Sequence, residues 1–87
     1  MKELEHCRID KWLWACRFFK TRSISHKVVE HGKVRLNGRK LRKPSTLLRT
    51  TDVITLTRGD SVIVVRVLSL PLHRGSAKNS ADWYANI

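Results

Sequence analysis

Asn37-Gly38 constrains the fold of this chain more than any other pair of residues in it. Asn-Gly is the strongest short-range signal for a two-residue β-hairpin, because both turn positions need positive φ. Val34 and Leu36 alternate with Lys33 and Arg35 ahead of the turn, so residues 33–41 are expected to form a hairpin. A second hairpin is expected further on. Residues 53–57 and 62–70 are rich in β-branched side chains and flank Arg58-Gly59-Asp60, with Gly59 supplying the turn. The Arg-Gly-Asp tripeptide is read as that turn and nothing more.

The part of the chain before the first hairpin has helical spacing. Ile9, Trp12, Leu13, Cys16 and Phe19 fall on one arc of a helix over residues 9–19. Asp10 suits its positive end, where it could also orient Arg8 or Arg17, and Arg17 and Lys20 suit the other end. Trp14 and Phe18 point away from the arc. They either stack on the bases of a nucleic acid or lie under Trp83 and Tyr84; the cost of exposing aromatic surface favours the second. Thr21-Arg22-Ser23 breaks the pattern. Ser23 is the expected N-cap of a helix over 24–31, with Ser25, Val28 and Val29 inward, Ile24 beside Val28, and Gly32 as its stop. Pro71 ends the last strand, and residues 71–87 read as a tail in which 76–84 could form a short docking helix. The expected fold class is therefore α+β: two N-terminal helices packed on a small twisted, mainly antiparallel sheet of four to five strands.

Eighty-seven residues make one small domain with little room for a deep active site. No apolar run is long enough to span a membrane, since Arg66 interrupts the longest, residues 62–70. Residues 1–6 contain no signal region, so an intracellular, cytoplasmic location is expected. Cys7 and Cys16 make neither a disulfide framework nor a zinc spacing, and His6 beside Cys7 lacks two further ligands. No metal and no cofactor are expected.

Charge points to the partner. Residues 8–49 hold thirteen Lys and Arg against Asp10 and Glu30 alone, a balance of +11, while the remaining residues hold five of each sign. A solvated face usually mixes signs. The stretches 11–29 and 31–49 contain no acid at all, which is the electrostatic footprint of a nucleic-acid-binding surface.

The order of elements narrows this further. Arg8-Ile9-Asp10-Lys11, Thr21-Arg22-Ser23, Gly32-Lys33-Val34-Arg35-Leu36-Asn37-Gly38, Lys43-Pro44 and Asp52-Val53-Ile54 together resemble the S4-type RNA-binding domain, named after a small-subunit ribosomal protein. The likeness covers residues 8–57 of an expected RNA-binding domain over 8–70. The helix around Trp12-Leu13-Trp14, with Arg74-Gly75, Ala77, Ala81 and Tyr84 later on, resembles the bacterial heat-shock protein fifteen family, whose longer members carry a further basic extension. The resemblance implies an αL motif in which the two helices and first hairpin form the RNA surface. It also implies binding to ribosomal RNA of the large ribosomal subunit, in the recovery of stalled subunits that still carry peptidyl-tRNA after stress.

The candidate RNA-binding residues are Arg8, Lys11, Arg17, Lys20, Arg22, Ser23, Lys27, Lys33, Arg35, Asn37 and Lys40. Ser23 and the amides behind it would form a phosphate site at a helix N-terminus, and Asn37 serves the turn first. Arg39, Arg42, Lys43 and Arg49 read as a solvated rim that adds long-range attraction. Catalysis is not expected. A ribonuclease needs an acid and a base at one site, whereas His26 and His31 point in different directions on one helix and His6 and His73 lie near the ends. A general RNA- or DNA-binding protein without ribosome specificity is the alternative, since basic surfaces bind duplex DNA weakly. A monomer is expected.

Overall fold

The structure, a computed structural model, describes residues 6–71, 73, 74 and 76–87. The N-terminal stretch read for a signal region, apart from His6, and the glycine of Arg74-Gly75 lie outside the described residues. In chain order the elements are β1 (Cys7–Arg8), α1 (Ile9–Ala15), α2 (Arg22–Glu30), β2 (Val34–Leu36), β3 (Arg39–Leu41), β4 (Leu47–Leu48), β5 (Val53–Arg58) and β6 (Ser61–Val67). They continue with α3 (Ala77–Ser80), a 3-10 turn (Ala81–Trp83) and β7 (Tyr84–Asn86).

Strands β3-β2-β5-β6-β7 form one antiparallel sheet in that order, and β1 pairs with β4 beside it. Asn37 and Gly38 adopt φ of 51° and 86°, and the hairpin register Val34↔Leu41, Arg35↔Lys40, Leu36↔Arg39 follows from that turn. The alternation sends Val34, Ile54, Leu56, Val65 and Val67 into one core with Ile9, Trp12, Leu13 and Val29 from the two helices. Trp12 is its largest member, and its Nε1–H donates to the Ser69 carbonyl at 2.9 Å. Among the described residues no helix is long and apolar enough to cross a membrane.

Three expectations need correction. The first helix ends at Ala15, not at residue 19. Arg17 takes φ 65°, and the chain closes with Arg17 N–H on the Trp14 carbonyl and Phe18 N–H on the Leu13 carbonyl. That paired closure is a Schellman ending with arginine in the position usually held by glycine. It costs about 1–2 kcal/mol for an L-residue, so the residue type gave no sign of it. The reversal swings Phe18 back toward the core, 6.0 Å from Trp12 and 4.8 Å from Tyr84. Tyr84 thus covers Phe18 as expected, but Trp14 is covered by Arg74, whose guanidinium lies 5.3 Å from its ring centroid.

The N-cap of the second helix is Thr21, whose Oγ1 accepts the Ile24 N–H at 3.1 Å; Ser23 already lies within the first turn. Both hydroxyls satisfy the sequence rule, and only the backbone at Thr21, extended at φ −132°, lets its side chain reach back to the third amide. Finally, residues 71–87 are more than a tail with a helix. The helix spans only 77–80, and β7 then adds to the sheet edge, with the Trp83 carbonyl accepting Leu68 N–H and the Ile87 N–H reaching Val64.

Gly32 ends α2 with the same Schellman pairing, Gly32 N–H to Val29 and Lys33 N–H to Val28, at φ 74°. A Cβ there would meet Lys40 Cδ at 3.3 Å and Arg42 Cζ at 3.4 Å. Both are far ends of flexible side chains, so backbone strain dominates. Gly32→Ala is expected to cost about 1–2 kcal/mol in thermal denaturation, and Gly32→Asn less, because asparagine tolerates left-handed backbone.

Candidate nucleic-acid interface

The site grows from one buried acid. Asp10 sits in the first turn of α1 and is 1% exposed. A buried carboxylate is costly unless it is paired and hydrogen-bonded. Asp10 accepts from the Lys11 N–H at 2.7 Å, from Arg8 Nε at 3.2 Å and from Arg8 Nη2 at 3.0 Å. Arg22 Nη2 lies 3.6 Å from Oδ1, and His26 Nδ1 lies 3.3 Å from Oδ2. Its own carbonyl accepts the buried Ser25 hydroxyl at 2.8 Å, which locks α2 against α1. One carboxylate therefore holds two guanidinia and an imidazole at the junction of both helices.

Above Asp10 opens a pocket of about 460 Å³, lined by Arg8, Arg22, Ser23, His26, Lys27 and Glu30. Arg8 and Arg22 are part-exposed on one side while Asp10 pairs with them on the other. Fixed guanidinium forks suit phosphate, because planar paired N–H donors match its oxygens. His26 also reaches Glu30, with Nε2 3.3 Å from Oε2 one helical turn on.

The hairpin makes a second cationic area. Arg35 and Lys40 are direct cross-strand partners, and both are exposed. Like charges directly opposite destabilise a sheet, a cost that an anionic partner would remove. Lys33 is exposed at the strand entrance, and the packing of Lys40 and Arg42 near Gly32 brings this area to the C-terminal end of α2.

The other candidates are placed differently. Lys11 is half-buried on α1, and Arg17 and Lys20 are exposed on the α1–α2 turn, outside the pocket. Asn37 is committed to the fold: its Oδ1 accepts the Val53 N–H at 2.9 Å and its Nδ2 donates to Asp52 at 3.1 Å. Arg58 and Arg74 hold the α1–α2 turn from the other half of the chain. Arg58 donates to the Phe18 carbonyl at 2.9 Å, and Arg74 donates to the carbonyls of Trp14 and Phe19 at 3.1 and 3.2 Å. The sequence reading missed His26 and Glu30 as pocket residues. The available signal was spacing: Arg22, His26 and Glu30 are four apart and share one helix face.

Cys7 and Cys16 are buried and unbridged. Burial pushes both thiols up, most strongly Cys16; for Cys7, Lys11 and Arg22 pull partly the other way. Such thiols are inert as nucleophiles. His6 is exposed beside a buried Cys7, and among the described residues no three potential metal ligands are grouped.

Fold and site together define a two-helix, antiparallel-sheet domain whose helices and first hairpin carry clustered cations. Residues 7–54 match the family model of the S4 domain. The chain belongs to the S4 domain family. Within it, the chain is homologous to heat shock protein 15. It is 39% identical over 77 residues to heat shock protein 15 of Escherichia coli K12, covering 88% of this chain and 57% of that one. The chain thus spans little more than half the length of that relative. It is 33% identical over 63 residues to the RQC P-site tRNA stabilizing factor of Streptococcus pneumoniae, covering 72% of this chain and 70% of that one. The structure of heat shock protein 15 of Vibrio cholerae, described as trimeric, superposes with a TM-score of 0.89 at 37% identity over 95% of this chain and 83% of that one.

Proposed function

We propose that this chain is a non-catalytic RNA-binding protein that recognises structured ribosomal RNA with α1, α2 and the β2–β3 hairpin. The observation that carries the reading is the Asp10-anchored pair Arg8 and Arg22 at an open pocket beside Lys27, with the like-charged Arg35–Lys40 pair on the hairpin. Such a surface reads backbone and shape, which is how folded RNA is distinguished from simple duplex. The names of the relatives support a place on the ribosome: two are heat shock proteins, and one stabilises a P-site tRNA. The finer reading is a cytoplasmic monomer that binds large subunits still carrying peptidyl-tRNA and helps to recover them under stress.

Salt titrations test the surface. Each phosphate contact contributes about 0.7–0.9 to the slope of log K against log salt. Arg22→Ala and Lys33→Ala should each weaken binding to a ribosomal RNA fragment and lower that slope by about one unit. Arg58→Ala should leave the slope unchanged, because its guanidinium serves the Phe18 carbonyl. A reversed ranking would place the surface on the other side of the domain. Competition between ribosomal RNA and duplex DNA at matched salt tests specificity, and equal affinities would favour a general nucleic-acid binder.

A further inference from the structure

Glu30 is an acid where physics disfavours one. It is the last residue of α2, at the negative end of the helix, where a carboxylate is repelled. It is half-exposed, at 51%, on the rim of a pocket whose Arg8, Arg22 and Lys27 suit phosphate. No other acid occurs between residues 11 and 49. Asp10, the other carboxylate at this pocket, is buried and paired with both guanidinia. The His26–Glu30 contact is between part-exposed groups, with the histidine N-terminal to the acid, an order that gives a helix little support. Stability therefore does not account for Glu30, and its charge works against phosphate binding.

The pocket geometry gives it another role. His26 lies between Asp10 at the floor and Glu30 at the rim, with a ring nitrogen 3.3 Å from each carboxylate, and Glu30 stands beside the open volume. A positioned carboxylate accepts from amino and imino groups on base edges, as acidic residues do from cytosine amino groups in duplex grooves. Unstacked RNA bases present such edges to protein pockets. Guanine is the base with two adjacent donors, N1–H and N2–H, which match the two oxygens of one carboxylate.

We propose that Glu30 is a specificity-determining residue: with an RNA phosphate on Arg8, Arg22 and Lys27, an unstacked guanine enters the pocket and donates N1–H and N2–H to the Glu30 carboxylate. The proposal rests on the RNA-binding reading above and names the nucleotide that the same site takes.

Fluorescence anisotropy with labelled single-stranded uridine nonamers tests it, the central residue being guanosine, inosine, adenosine or cytidine. The guanosine RNA should bind the wild-type chain about tenfold more tightly than the adenosine RNA, since a good paired contact is worth roughly that. Inosine, which lacks the N2 amino group, should fall between them. Glu30→Gln should lower the preference to about twofold or less and tighten binding of the adenosine RNA, because one repelling charge is gone. An unchanged thermal melt verifies that Glu30→Gln still folds. Absence of a guanosine preference in the wild-type chain would overturn the proposal, as would a full preference surviving in Glu30→Gln. An equal gain for all four RNAs in Glu30→Gln would also overturn it, leaving Glu30 as a mere repelling charge. Arg22→Ala separates the two readings. If it weakens all four RNAs and no base preference exists, only the guanine site falls; if it alters none, the phosphate site falls as well.

Discussion

Trp12→Ala is expected to remove about 3–5 kcal/mol of folding stability, the usual cost of deleting a buried aromatic. A chain of this length has roughly 4–13 kcal/mol in total. Trp12 is fully buried, and its ring lies 6.0 Å from Phe18 and 6.3 Å, edge-on, from Tyr84. It therefore joins α1, the α1–α2 turn and the last strand in one contact. Urea unfolding should show the midpoint collapse toward zero denaturant. Trp12→Phe should lose less, about 1–3 kcal/mol, because it keeps a ring but leaves the Ser69 carbonyl without its indole donor. Equal losses in the two variants would mean that the Ser69 hydrogen bond, and not the packing, is what matters.

Asp10→Ala is expected to cost about 2–3 kcal/mol, in the range of charge-assisted hydrogen bonds and below that of a wholly buried pair. The discount is needed because Arg8, Arg22 and His26 are each more than two-fifths exposed and regain water when the carboxylate goes. Differential scanning calorimetry should show Tm falling by roughly 8–20 °C. The effect on RNA separates two physical accounts. Removing an acid raises the net charge by one, so long-range attraction alone predicts tighter binding. If Asp10 works by holding Arg8 and Arg22, binding weakens despite the added charge, measured at a temperature where the variant is folded. Tighter binding would show that the two guanidinia need no anchor.

The fold was largely legible in the chain. The Asn37-Gly38 turn, the register of its hairpin, the Gly32 stop and the inward arc of Ile9, Trp12 and Leu13 follow from local rules: positive φ, a period of two and a period of 3.6. The resemblance to the S4-type domain rested on the same residues, and the family match over residues 7–54 agrees with it. Less legible were features that local rules disfavour. Arg17 in left-handed backbone ends α1 four residues early, and no propensity signals an arginine there. Tyr84–Asn86 form a strand because β6 offers an open edge, a fact about a partner rather than about those three residues.

The site divides along the same line. Sequence alone determined that the net positive charge is confined to residues 8–49, that acids are nearly excluded from that stretch, and that two helices and an Asn-Gly hairpin carry it. Charge and periodicity are properties of residue types and spacings, so they survive in a one-dimensional reading. Tertiary structure decided which cations meet. The Arg8–Asp10 pair is local and was expected, but Asp10 and Arg22 are twelve positions apart, and only the packing of α1 on α2, fixed by the Ser25 hydroxyl on the Asp10 carbonyl, brings Arg22 and His26 to the same carboxylate. It also gave Asn37, Arg58 and Arg74 hydrogen-bond partners in distant parts of the chain. Directional hydrogen bonds and ion pairs between distant segments exist only once the chain has closed.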